Sequence, residues 1–452
     1  MRILIAALVL ATAGLAQAQD GPWIISTDYE VFGQIESFQK ASPWNPSGSL
    51  STTPSDAVGR HHDGRVYVVG RGGSNLIRVH DAQNGFALLR EFSVGAGRNP
   101  QDIVLDDQGR AWVPCYDDDV LLQVDVQSGT VVAEYSTAAY ADADGLPETG
   151  WAEVFDGRLY VTCQNLDRDN WYSPTGPGRL LVFDLTTLQW EAPIQLVAAN
   201  PYSRIRIDDQ DRLLVGCAGY WALNDAGVEA VDPATGMSLG YVATEAQLGG
   251  DVLNVVATGA GELHVLISNS SFATAVKRFA GGSATTVVST AGYDLADIAF
   301  DGDFQLYVAD RTLGAFGIRV FDTATGGELT TQPIATLLSP YSFVLPSKAG
   351  PTPVPLAGLP GALQLGLPYP NPCNPRSEVE LTGAANATVR VSVHDLRGRR
   401  VTQTLVRTDA DGKAVVRFNG VDTAGRALAA GAYRIVAEGG GGFAARTVML
   451  VK

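Results

Sequence analysis

An all-β chain is expected here, a seven-bladed β-propeller with six blades as the alternative, followed by a small β-sandwich. Three observations lead to it. The 452 residues include 50 glycines and only 18 % charged residues. Val, Tyr, Leu and Thr recur in short bursts, as in chains built of many short strands, and no long amphipathic helical pattern interrupts them. One strand-and-turn pattern also returns at a nearly constant interval, and such repetition outranks any single motif.

The first residues, MRILIAALVLATAGLAQAQ, combine an early arginine, a short apolar run and small residues near Ala16 and Ala18. This is the layout of a cleaved secretory signal, so residues 1–19 are assigned as signal peptide and the mature chain starts near Gln19 or Asp20. The run is too short to span a bilayer, and no second stretch of spanning length follows. Export permits disulfides, yet four cysteines (Cys115, Cys163, Cys217, Cys373) are too few for a disulfide-built scaffold.

Residues 20–346 hold the repeat. Six segments align on a turn: DGRVYVVG from Asp63, QGRAWVPC from Gln108, DGRLYVTC from Asp156, QDRLLVGC from Gln210, AGELHVLI from Ala260 and DFQLYVAD from Asp303. The residues after the turns, Arg65, Arg110, Arg158, Arg212, Glu262 and Gln305, are 45, 48, 54, 50 and 43 apart. That period suits one four-stranded propeller blade. Upstream of the turn lies a strand ending in acidic residues, as in NPQDIVLDD from Asn99. Downstream a strand closes on Asp and a Gly-containing turn, as in IRVFDTATG from Ile318. A seventh upstream strand, SPYSFVLP from Ser339, has nothing after it, while WIISTDYEVFGQIESF from Trp23 has nothing before it. Joining the two completes one blade from both ends and removes exposed sheet edges.

Residues 347–362 contain SKAGPTPVPLAGLPGA, a proline-rich extended linker. In residues 363–452, alternation in TVRVSVHDL sets Val389, Val391 and Val393 on one face and Arg390 and Ser392 on the other, as in a half-buried sandwich strand.

Two resemblances go with these segments. LYVTCQN, LYVAD and GRLLVFDL resemble secreted bacterial propellers of the YVTN and NHL kinds over residues 23–346, generic motifs that report blade geometry. YPNPCNPRSEVEL, VRVSVHDLRGRRV, FNGVDTAGRALAAGAYRIV and RTVMLVK occur in the order found in FlgD-like Ig domains and in type A C-terminal sorting domains of type IX secretion. The second resemblance implies an Ig-like β-sandwich that carries the protein across an outer membrane, with the secretion machinery as partner and the cell surface or medium as destination. Cys373 departs from the pattern, which usually has an aromatic there.

Charge separates the two parts. The chain carries −16 overall; residues 20–346 hold 18 Lys+Arg against 41 Asp+Glu, and residues 363–452 hold 12 against 7. An acidic body argues against nucleic acid and anionic membranes as partners and suits small polar ligands or cations.

Five acids lie at or near the starts of inner strands: Asp56, Asp102, Glu153, Asp251 and Asp297. In a propeller these positions ring one mouth of the central channel, where converging carboxylates would bind Ca²⁺ or a polyhydroxylated or amine-bearing ligand. The plainer reading is that they satisfy local strand-end amides. Asn165, Asp167 and Asp169 stand two apart, as in the first half of a calcium loop, but the required glycine is absent and Gly176 at position twelve is no ligand. A lengthened polar loop is the alternative account, and Trp171 and Tyr172 within it offer ligand contacts.

Cys115, Cys163 and Cys217 each fall five residues after Arg110, Arg158 and Arg212, the residues that follow their turns. Equivalent positions on neighbouring blades are about 10 Å apart, too far for a disulfide, so they read as small buried residues. Catalysis has little support: the five histidines have no sequence neighbourhood that marks a general base, and the nucleophile-elbow, zinc-helix and phosphate-loop motifs are absent. The expected function is therefore a secreted or surface-delivered binding or scaffold module for an extracellular ligand or protein. The competing class is an extracellular propeller enzyme, a calcium-dependent lactonase or a lyase.

Overall fold

The computed structural model describes residues 21–259, 261–346, 364–366, 368–383, 385–395, 400–423, 425–439 and 442–451. The expected signal peptide and proline-rich linker lie outside the described residues. The chain divides into two compact units, Met1–Lys348 and Ala349–Lys452.

Antiparallel sheets dominate the first unit, and each begins with the strand upstream of a repeat turn. The first sheet runs in the order Ala57–His62, Arg65–Gly70, Leu76–Asp81, Ala87–Ser93. The second comprises Val104–Leu105, Ala111–Pro114, Val120–Asp125 and Thr130–Ser136. In the third, Thr149–Phe155, Arg158–Cys163 and Arg179–Asp184 are followed by two short strands, Gln189–Trp190 and Ile194–Gln195. The fourth spans Arg206–Ile207 to Met237–Thr244, and the fifth Asp251–Gly259 to Ser283–Ser289. Leu295–Phe300, Gln305–Asp310 and Gly317–Asp322 form the sixth, extended by single bridges from Ile318 to Ile334 and Phe321 to Glu328.

The seventh sheet joins the ends of this unit. Ser339–Val344 pairs with Trp23–Thr27, Val344 opposite Trp23 and Ser339 opposite Thr27, and Phe32–Phe38 and Pro46–Pro54 continue outward.

Side-chain caps explain why the turns repeat. Asp106 Oδ1 accepts from the amides of Gln108 and Arg110, and Asp208 Oδ1 does the same for Gln210 and Arg212. Asp301 repeats the pattern with Asp303, Phe304 and Gln305. These are Asx turns, which offer the chain a local reversal between strands. At the outer turns Asp125 and Asp232 cap in the same way, and Gly129 and Gly236 follow with φ of 75° and 66°, a region costly to any residue with a Cβ.

Seven apolar clusters link these sheets among the described residues. Val69 shares a cluster with Val113, Trp112 with Phe183, and Tyr160 with Val215. Val228 joins Val265, Leu266 joins Val308, and Tyr307 joins Phe343. The last, with Val344 and Val66, returns to the first sheet. Every sheet is thus covered on both faces, and period-two alternation sends Val66 and Val69 to different clusters. A Cβ at Gly59 would lie 2.6 Å from Val344 Cγ2, so a bare backbone is what lets the first and seventh sheets approach there.

The second unit holds two sheets. One has the order Gln364–Leu365, Ser377–Thr382, Lys413–Phe418; the other Arg400–Arg407, Thr388–Asp395, Gly431–Gly439, Gly442–Leu450. Both feed one cluster that includes Val379, Phe418, Ile435 and Val448. Val389, Val391 and Val393 are buried within it, while Ser392 on the other face is buried too, its Oγ 3.0 Å from His394 Nε2. Cys373 lies in the same core, and its backbone bonds to Met449 and Val451 tie the proline-rich segment to the last strand.

Candidate ligand site along the inner strands

Residues on or beside the first strand of all seven sheets line one cavity of about 470 Å³, among them Asp56, Gln101, Trp151, Arg204, Asn254, Asp297 and Tyr341. A second cavity, of about 550 Å³, is lined further along the same strands by Arg60, Glu153, Arg206 and Phe300, among others. Arg204 and Asp297 line both and so form the partition.

Polar side chains in this region join one sheet to the next. Arg60 in the first sheet donates from Nε to Asp102 Oδ1 (3.0 Å) and from Nη2 to Asp102 Oδ2 (2.7 Å), and reaches the third sheet at Glu153 Oε2 (3.2 Å) and Ala152 O (2.8 Å). Trp151 Nε1 donates to Tyr202 O at 2.9 Å, and Arg206 Nε to Val255 O at 3.2 Å. Asn254 Nδ2 donates to Asp297 Oδ1 at 2.6 Å, and Asp297 Oδ2 accepts from Phe343 N at 2.8 Å. Tyr341 Oη and Arg71 both donate to Asp56 Oδ1, which ties the seventh sheet back to the first.

Burial disfavours charge at Arg60, but the Asp102 and Glu153 carboxylates outweigh it and hold the guanidinium above its ordinary range. Burial likewise pushes Asp102 up, and Arg60 reverses this to leave its carboxyl below the usual range. Glu153 stays raised because burial there exceeds the help from Arg60. Among the described residues no carboxylate lies at ion-pair distance from Arg204; burial, with Arg60 nearby, pulls it down to about 10.

The five inner-strand acids lie in different places instead of converging on one mouth. Asp56 lines the first cavity and Glu153 the second. Asp102 is fully buried beneath Arg60. Asp297 sits in the partition, and Asp251 lines neither cavity, its carboxylate accepting from Ala222 N at 2.9 and 3.1 Å. Local capping therefore accounts for Asp251 and much of Asp297, whereas Asp56, Asp102 and Glu153 face guanidinium groups.

Asn165 and Asp167 are engaged in local hydrogen bonds. Asn165 Oδ1 accepts from Cys163 Sγ and its Nδ2 donates to Tyr140 O. Asp167 caps the short 3-10 turn Arg168–Asn170 through the amides of Asp169 and Asn170. Arg168 anchors that loop on Glu148, Asp117 and Tyr116 O, each at 2.8 Å, so the acidic turn at Asp117 is an ion-pair partner. Trp171 beside it is 92 % exposed.

Four buried thiols are unpaired. Burial pushes Cys115 and Cys163 up to about 12, where they are inert. His80 and His264 are buried within strands and pulled down to about 4 by that burial, so both are neutral structural groups. His61 and His62 line the second cavity.

The FlgD Ig-like domain matches residues 375–442. No curated protein matches the chain. Solved structures similar to it include PorZ, an essential bacterial surface component of the type IX secretion system of Porphyromonas gingivalis, at 14 % identity and TM-score 0.43, covering 93 % of this chain. This chain spans 56 % of the length of PorZ. Virginiamycin B lyase from Staphylococcus aureus matches at 11 % identity and TM-score 0.46, covering 66 % of this chain and 94 % of the lyase. AztD from Citrobacter koseri matches at 10 % identity and TM-score 0.43, covering 88 % of this chain and 99 % of AztD. No function is carried over from these likenesses.

Among the described residues no group of three or more His, Cys, Asp or Glu side chains is placed to hold a metal ion. Of the acids that were candidates for Ca²⁺, Asp56, Asp102 and Glu153 pair with arginines, and Asp251 and Asp297 accept from backbone amides. Sequence reasoning missed these arginines and the aromatics Trp151, Tyr202 and Tyr341. The available signal was SRIRI, in which Arg204 and Arg206 alternate with isoleucine at and just before the strand Arg206–Ile207.

Among the described residues no helix is long and apolar enough to cross a membrane.

Proposed function

We propose that this protein is a secreted or surface-delivered seven-bladed propeller that binds a small polar molecule in its axial cavity. Residues 363–452 would form the Ig-like sandwich serving export and attachment. One observation carries the binding reading: seven sheets each lend a side chain to a single cavity of about 470 Å³, within the usual size range of small-molecule sites. Aromatic faces and a few convergent polar groups in that cavity are what such sites use to orient a ligand. The calcium-dependent enzyme has less support, because its would-be ligands are already paired.

A thermal-shift screen of sugars, amines and carboxylates on the full mature chain tests the binding reading. Ala296 lines the cavity, so A296W fills part of it. A compound that stabilises the wild type and not a folded A296W supports the cavity; failure of every class, or equal response of the variant, counts against it. Export is tested separately: deletion of residues 363–452 should abolish surface and medium levels in the native host, and unchanged levels would refute the sorting role.

A further inference from the structure

Three guanidiniums line the first cavity, Arg71, Arg204 and Arg311, against two carboxylates, Asp56 and Asp297. Their pairing is unequal. Arg71 is matched with Asp56 at 2.7 Å. Arg204, only 7 % exposed, donates to two neutral oxygens, Gly59 O at 3.3 Å and Ser342 Oγ at 3.1 Å, and lies 4.5 Å from the centre of the Trp151 ring. Arg311 also meets neutral oxygens, Tyr293 O at 2.9 Å and Tyr29 Oη at 3.0 Å. Among the described residues Arg204 thus has no carboxylate bonded to it: Asp297 and Asp102 lie near enough to offset part of its charge but not to pair with it, and a buried guanidinium held only by neutral acceptors and an aromatic face is costly.

We infer that the cavity takes an organic monocarboxylate with a flat, apolar body, its carboxylate on Arg204 and its body against Trp151 and the neighbouring tyrosines. This rests on the reading of the cavity as a ligand site. The planar guanidinium fork fits a carboxylate with charge-assisted bonds. A single excess positive charge matches a monoanion, whereas a phosphate dianion would overcompensate it. The aromatic lining from Tyr116, Trp151, Tyr202, Tyr293 and Tyr341 offers surface that bare phosphate does not use.

The test is titration calorimetry on the full mature chain at neutral pH with phenylacetate, 3-phenylpropionate and indole-3-acetate, each beside its primary amide, and with inorganic phosphate. At least one acid is expected to bind about tenfold or more tighter than its amide, with R204Q losing about tenfold and R204K retaining part of the affinity. Equal binding of acid and amide, binding of phosphate alone, or unchanged affinity in R204Q overturns the inference. Should R204Q not fold, the acid-to-amide ratio on the wild type decides. If a neutral or cationic solute occupies the cavity and no acid does, the carboxylate assignment falls while the binding reading stands; if nothing binds, both fall.

Discussion

Arg60 and Asp102 form a two-bonded ion pair between the first and second sheets, with the Asp102 side chain 1 % exposed and that of Arg60 16 % exposed. Removing Asp102 leaves Arg60 with Glu153 as its one carboxylate partner and strips the Ala152 amide of its acceptor, and breaking such a pair costs far more than the pair contributes when intact. D102A is therefore expected to lose about 3–5 kcal/mol of stability, read from the denaturant midpoint. A loss below about 1 kcal/mol, the range of exposed pairs, would show that water reaches the pair.

The pairing of Trp23–Thr27 with Ser339–Val344 makes a second prediction. Trp23 is fully buried, pairs with Val344 and shares its cluster. W23A should cost about 3–5 kcal/mol, as large core truncations do. Hydrogen exchange at Ser339–Val344 should accelerate more than in the second or third sheet. Uniform acceleration, or none, would count against a seam at this place.

Thiol chemistry gives a third. Cys115, Cys163, Cys217 and Cys373 are all buried, so the native protein should show no rapid reaction with a thiol reagent, and all four should react in denaturant. Fast labelling of any one of them in native buffer would contradict its burial.

The fourth concerns pH. Glu245 is fully buried, and that burial pushes its carboxyl up to about 8 although the amides of Ala226 and Val252 donate to it. The folded state then holds a proton that the unfolded state releases near its ordinary value of about 4.3. Its contribution is complete below that value and is lost as pH rises through about 8. The stability of the wild type relative to E245Q should fall between about pH 5 and pH 9; a difference that stays flat or grows would contradict this.

Much of the fold was legible because turn chemistry is local. Asp106, Asp208 and Asp301 cap amides two to four residues away, so the repeat they mark is written in consecutive residues. The pairing of Ser339–Val344 with Trp23–Thr27 was readable for a related reason, since each segment lacked the strands that the other supplies. The site was less legible. Arg60 finds Asp102 at a separation of 42 residues and Glu153 at 93, and Arg204 meets Ser342 at 138. Acids at strand starts drew notice as a recurring type, but their arginine partners recur at no fixed position. Asp56, Asp102 and Glu153 therefore read as isolated acids in the sequence although each is paired with an arginine in the fold.

Whether the cavity beside Arg71, Arg204 and Arg311 is where this protein binds is tested most directly by a crystal structure of the mature chain with the acid that titrates most tightly. The expected result is ligand density in that cavity, a carboxylate within hydrogen-bond distance of Arg204 and a flat body against Trp151. Density on the exposed loop at Trp171, or on the second unit, with the cavity holding only water, would contradict it.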